Sequence, residues 1–307
     1  MAKNILWFRN FPHGRFGNAA FQYLFARYAE QVVGCELILG DAVSNEESIL
    51  PWKLFNIESY DLQIQAALKA GLCQQIKLGE KRSSSPKNDI GEIKKHFEKN
   101  PGSVLIVEGY FQYDTHFFYS DSDYAKVFHQ YFFASTTGVN DFQRILAFYH
   151  SQLKELLNGY LISLHIRRGD YLSYSPDNHQ NHAVFYPLDL ELVLNYVKNF
   201  IEKNRISQPL IYVASDDLEF CEDYFGKHKL HILTRNKLLP ESGRTELSAL
   251  MTDLAALSAA RLTVSSNSSF SMLSTLLNKD AKVFIRQTSD GQLMPFDPTS
   301  TVVLYGN

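Results

Sequence analysis

Long apolar runs are missing from this sequence of 307 residues. None approaches the roughly 20 residues that a membrane-spanning helix requires. The opening stretch from Met1 to Phe8 has no extended apolar core of the kind that directs secretion, so the expected compartment is the cytoplasm. Peripheral association with a membrane stays open. Cysteine is scarce: Cys35, Cys73 and Cys221 are odd in number and far apart, which excludes a disulfide framework and a zinc-finger spacing and fits a reducing compartment. Positive charge is not in excess either, with a formal net charge of −3. A general nucleic-acid binder needs a broad cationic surface, so any contact with phosphate must be local. The glycine patterns of dinucleotide-binding and P-loop sites are also absent: Gly14-Arg15-Phe16-Gly17-Asn18 matches neither.

What is present is ordinary core-forming material, 45% apolar residues with 22 Phe and 17 Tyr. A chain this long exceeds one hydrophobic core, which predicts two domains, 1–150 and 151–307. Short apolar runs at 5–8, 35–39 and 104–107 read as strands in the first half, with a helix after the Gly14–Asn18 turn carrying Phe21, Leu24, Phe25, Tyr28 and Val32 at helical spacing. In the second half strands are expected at 160–166, 210–214, 231–233, 261–264 and 283–285, mostly separated by helical patterns. Such alternation predicts an α/β fold with parallel sheets. Residues 79–102, rich in Lys, Ser and Glu and punctuated by Pro86 and Pro101, read as a solvated insertion.

In open parallel sheets ligands bind beyond the carboxyl ends of strands, and the polar clusters fall at those places. At His165-Ile166-Arg167-Arg168-Gly169-Asp170 a buried strand ends in two adjacent arginines. Guanidinium groups stay charged and offer planar forks suited to phosphate oxygens, so the segment is read as a diphosphate-binding turn; an ion-paired strand end is the alternative. Ser265-Ser266-Asn267-Ser268-Ser269-Phe270-Ser271 places hydroxyls at a helix start, where free backbone N–H groups favour anions and simple capping is the competing account. Asp216-Asp217 at a strand exit, and Asp253 in a helical stretch, are candidate acceptors for a base or ribose, or else a cap and a solvated face. Asp121-Ser122-Asp123 has the Asp-x-Asp form of a metal site, although Ser and Asp also cap helices there. His179 and His182 have no third ligand nearby. His13, Glu241 and Glu246 have the chemistry of a general base, but spacing assigns none of them.

Taken together these segments resemble the α-1,2-fucosyltransferase family. Its His-x-Arg-Arg-x-Asp element stands as His165, Arg167, Arg168 and Asp170, followed or preceded in family order by Gly17-Asn18, Gly109-Tyr110-Phe111-Gln112, Ser215-Asp216-Asp217 and Asn267-Ser268-Ser269-Phe270-Ser271. Ala19, Met272 and Leu273 depart from the usual pattern. The resemblance implies a GT-B fold of two Rossmann-like domains facing a cleft, an acceptor side at 1–150 and a GDP-sugar side at 151–307. It implies an inverting, metal-independent enzyme moving L-fucose from GDP-fucose to a glycan hydroxyl, O2 of a galactose, on an oligosaccharide or glycolipid. No cofactor is implied. Arg167, Arg168 and Asn18 would serve catalysis, and His165, Asp170, Asp253, Ser268, Ser269 and Gly17 would hold the donor. Two other readings stay open: a nucleotide-sugar-binding protein without turnover, and a metal-dependent transferase using Asp121 and Asp123.

Overall fold

The computed structural model describes residues 3–8, 16–40, 61–79, 85–114, 116–120, 122–133, 141–156, 159–173, 187–278, 283–288 and 291–297. Two compact units emerge, one running to Phe133 and the other from Gln143 onward. Position 150 lies inside the helix Asp141–Leu156, whose first two residues, Asp141 and Phe142, fall in the first unit and whose remainder, from Gln143, falls in the second.

In the first unit the elements are β1 (Ile5–Phe8), α1 (Phe16–Val33), β2 (Glu36–Leu39), α2 (Asp61–Lys69), β3 (Cys73–Lys77), α3 (Pro86–Lys99), β4 (Val104–Glu108), α4 (His116–Tyr119) and α5 (Asp123–Phe132). The sheet order is β2-β1-β4-β3, all parallel. Alternation sends Ile5, Trp7, Val104 and Ile106 to one face with Ile64 and Ala67 of α2. Residues 79–102 are not a solvated insertion. Ser85 caps α3 by accepting from Asn88 N, and Pro86 occupies the first turn, where its missing N–H costs nothing. Ile90, Ile93 and Phe97 are buried along that helix, and Asp89 accepts from Tyr113 Oη at 2.5 Å. Residues 80–84 lie outside the described set.

The segment after β4 is unusually constrained. A Cβ on Gly109, whose φ is +156°, would lie 1.7 Å from the Leu78 carbonyl oxygen. Phe111 adopts φ 54°, a region that bulky residues avoid, and is held there by stacking on Phe25 with centroids 4.2 Å apart. This geometry carries Gln112 to the start of α1.

In the second unit follow α6 (Asp141–Leu156), β5 (Tyr160–Ile166), α7 (Leu190–Lys203), β6 (Pro209–Ser215), α8 (Leu218–Lys227), β7 (Ile232–Leu233), α9 (Arg235–Leu238), α10 (Glu246–Ala259), β8 (Leu262–Ser265), α11 (Ser269–Leu277), β9 (Val283–Gln287) and β10 (Leu293–Phe296). The order is β10-β9-β8-β5-β6-β7, parallel except for the β9–β10 pair. Ile162, Leu164, Ile166, Ile211 and Val213 build its core against Val193, Leu194 and Val197 of α7. Register brings the three central exits level: Ile166 stands opposite Ser215, and His165 opposite Ser265. Among the described residues no helix is long and apolar enough to cross a membrane.

Candidate functional site

The polar residues that follow β5, β6 and β8 form one interlocked surface at the level strand ends of the second unit. Arg167 leaves β5 with its backbone N donating to Ser266 Oγ at 2.9 Å. Its Nε and Nη2 donate to the two oxygens of Asp170 at 2.9 and 2.6 Å, and its guanidinium carbon lies 4.7 Å from the Tyr171 ring centroid. A fork pinned on one side in this way keeps a fixed orientation with little rotamer entropy left to lose.

Arg168 is held differently. Its Nε donates to Asp217 Oδ2 at 3.2 Å, and its guanidinium lies over Phe220 at 3.5 Å. Asp216 clamps the turn by accepting from Arg168 N at 2.8 Å and Gly169 N at 3.2 Å through one oxygen. The other oxygen would lie 2.7 Å from a Cβ at position 169, so the carboxylate occupies the space that only glycine leaves. Asp217 also caps α8, accepting from Phe220 N at 3.3 Å. Asp216 thus shapes the arginine turn through Oδ1, while Asp217 divides its oxygens between Arg168 and the start of α8.

The serine run does two jobs. Ser268 caps α11 by accepting from Ser271 N at 3.1 Å, and Ser269 begins the helix, both buried. Ser271 Oγ lies 2.6 Å from His165 Nδ1, 2.7 Å from the Ser266 carbonyl and 3.0 Å from Ser268 Oγ. A hydroxyl has one proton, which the carbonyl can only accept, so all three contacts are satisfied when Nδ1 and Ser268 donate to Ser271. That fixes His165 as the Nδ1–H tautomer. Burial, aided by Arg167, lowers its pKa to about 4, so the ring is neutral at physiological pH and is neither a cationic phosphate ligand nor a ready base. Tyr171 Oη completes the lock by donating to the Asn267 carbonyl.

Asp253 is not on a solvated face. It is 7% exposed on the buried helix α10 and accepts from Tyr212 Oη at 2.6 Å and from Arg235 Nη1. Burial raises its pKa to about 6 against the opposing pull of Arg235, and raises that of the Tyr212 hydroxyl well above its ordinary value.

In the first unit, Gly17 and Asn18 open α1 just beyond β1. Gln112 Nε2 donates to Asn18 Oδ1 at 2.7 Å, tying the exits of the neighbouring strands β1 and β4 together. Asp123 lies in the first turn of α5, below the Ser122 cap, and pairs with Lys126 at 3.2 Å on the surface. Asp121, His13, His179 and His182 lie outside the described residues. Among those described, no cluster of His, Cys, Asp or Glu could hold a metal ion.

The family model for glycosyl transferase family 11 matches residues 105–295. The chain belongs to glycosyl transferase family 11. No curated protein matches this family 11 chain. Among solved structures it is similar to POFUT1 in complex with GDP-fucose, at 12% identity and a TM-score of 0.52 over 92% of this chain and 97% of that one. It is similar as well to NodZ alpha-1,6-fucosyltransferase soaked with GDP-fucose, at 12% identity and a TM-score of 0.52 over 97% and 99% of the two chains. At such identities the likeness speaks for the fold: the family 11 chain has the two Rossmann-like units of the GT-B class.

Within the second unit of this family 11 glycosyltransferase, folding brings His165, Arg167, Asp170 and Ser268 into one network through Ser266 and Ser271. Asn18 and Gly17 belong to the first unit. Sequence reasoning missed Arg235 and Tyr212. Arg235 stands two positions beyond the end of β7, so the strand-exit rule pointed to it. Tyr212 is an interior strand residue with no such signal.

Proposed function

We propose that this family 11 enzyme transfers L-fucose from GDP-fucose to a sugar hydroxyl, O2 of a galactose, with inversion and without a metal. The observation that carries the reading is the fixed Arg167–Asp170 fork at the exit of β5, bonded through Ser266 to the turn that starts α11. As the bond from fucose to the diphosphate stretches, negative charge grows on the β-phosphate while the sugar becomes oxocarbenium-like. Arginines already in place, with Arg168 alongside Arg167 and the N-terminus of α11 adding free N–H groups at Ser268 and Ser269, stabilise that charge without reorganising. They also supply the positive charge that a divalent ion provides in other transferases. Asp253 and the neutral His165 are assigned to the guanosine, and Gly17 and Asn18 to a substrate contact made by the first unit.

Incubation with GDP-fucose and a panel of galactose-terminated oligosaccharides and glycolipids, followed by linkage analysis of the product, tests the proposal. An α-1,2-fucosylated galactoside is expected. Tight GDP binding with neither transfer nor donor hydrolysis would instead mark a binding protein, and failure with every galactoside would require another acceptor.

A further inference from the structure

The exit of β6 lies under a half-engaged guanidinium. Arg235 Nη1 donates to the Ser215 carbonyl at 3.0 Å and to Asp253 Oδ2, which uses both of its protons. Among the described residues Nε and Nη2 of Arg235 have no partner, and 23% of the side chain is exposed. A guanidinium carries five donors in one plane, so one complete edge, Nε–H with Nη2–H, is left to something outside the protein. The orientation of that edge is fixed, because the opposite side is tied at two points. Beside it Asp253 has one bond on each oxygen, from Tyr212 Oη at 2.6 Å on Oδ1 and from Arg235 on Oδ2, and a carboxylate can accept more than two.

A donor fork next to an acceptor pair is a pattern that nucleobases distinguish. Guanine presents O6 and N7 as adjacent acceptors, the edge that arginine reads in pairs, and continues to the donors N1–H and N2–H. Adenine puts an amino donor where guanine has O6, so the fork would meet a like group. The location is suitable as well: Ser215, whose carbonyl anchors Arg235, stands opposite Ile166, one residue before Arg167.

We propose that Arg235 is a specificity-determining residue of the donor site, its free Nε/Nη2 edge donating to O6 and N7 of guanine. The inference rests on the GDP-sugar reading given above and adds to it the residue that selects the base.

The test uses calorimetric binding of GDP, 7-deaza-GDP, ADP and UDP to the whole chain and to Arg235→Lys. 7-Deaza-GDP differs from GDP only in lacking the N7 acceptor. The wild type is expected to bind GDP about tenfold more tightly than 7-deaza-GDP, and about 10- to 100-fold more tightly than ADP, the range of a bidentate arginine contact. Arg235→Lys keeps a cation beside Asp253, but its single ammonium is drawn to that carboxylate and the Ser215 carbonyl. The GDP to 7-deaza-GDP ratio should therefore fall to within about twofold of unity. General loss of fold would weaken both nucleotides together and leave the ratio undefined by N7, and the wild-type ratio needs no variant at all. A wild-type ratio near one, or a tenfold ratio that survives in Arg235→Lys, overturns the assignment while leaving GDP as the nucleotide. If the wild type binds GDP no better than ADP and UDP, the donor reading itself falls.

Discussion

Replacing Gly169 with alanine should destabilise the second unit by an amount that Asp216 alone sets. The added Cβ would lie 2.7 Å from Asp216 Oδ2, far inside contact distance. The backbone on either side is fixed by β5 and by the 3-10 turn Asp170–Ser173, so the cheapest relief is rotation of the carboxylate. Rotation forfeits the bonds from Arg168 N and Gly169 N at 2.8 and 3.2 Å. Asp216 is exposed, so each bond contributes about 1 kcal/mol and the whole substitution costs about 2 kcal/mol. Asp216→Ala loses these two bonds as well and should cost at least as much. In the double variant the clash has no carboxylate to meet, so the cost stays near that of Asp216→Ala alone instead of rising by about 2 kcal/mol more. Thermal unfolding followed by circular dichroism resolves this, since about 2 kcal/mol corresponds to a Tm shift of roughly 4–8 °C for a unit of this size. Additive losses in the double variant, or a harmless Gly169→Ala, would show that the turn is not built around the Asp216 carboxylate.

Further outcomes are expected from the same geometry. A folded Arg167→Ala protein should lose about 10²–10³ in kcat with GDP-fucose, and near-normal turnover would remove the assigned role of the fork. Because burial holds the His165 pKa at about 4, below its unfolded value near 6.5, its neutral form stabilises the fold above about pH 6.5, and that contribution of about 3 kcal/mol is lost as pH falls towards 4. The stability gap between wild type and His165→Gln, from urea unfolding, should accordingly shrink over that window; a gap independent of pH would contradict the neutral, buried tautomer. Tyr212→Phe leaves the buried Asp253 short of one donor at 2.6 Å and should cost about 1–3 kcal/mol in the same assay. Transfer activity should persist in EDTA within about twofold, whereas a tenfold loss would move attention to a divalent cation.

Much of the second unit could be read from the chain because its strands are buried on both faces. The runs ending in Ile166, Ser215 and Ser265 are mostly apolar and buried nearly throughout, with Ser163, His165 and Thr263 as the polar residues inside them, and such segments announce themselves. The first unit was less legible. β3 reads Cys-Gln-Gln-Ile-Lys, a polar edge strand whose place comes from pairing with β4, and α3 hides behind a proline that starts the helix instead of breaking it. Within the site, the arginine turn and the serine run were visible because polar residues are conspicuous at the end of an apolar run.

Sequence alone thus determined the alternation of strands and helices, and the residue types at the exits of β5 and β8, since local periodicity and chemistry suffice for both. Tertiary structure decided the partners. Asp216 is 47 positions from the Gly169 it shapes, and Ser271 is 106 from the His165 whose tautomer it fixes. Asp253 reads as an ordinary polar position of a helix until α10 is buried and Tyr212 and Arg235 close on it. Whether a carboxylate binds a ligand, clamps a turn or anchors an arginine depends on what comes within about 3 Å of it, and only the folded chain sets those distances.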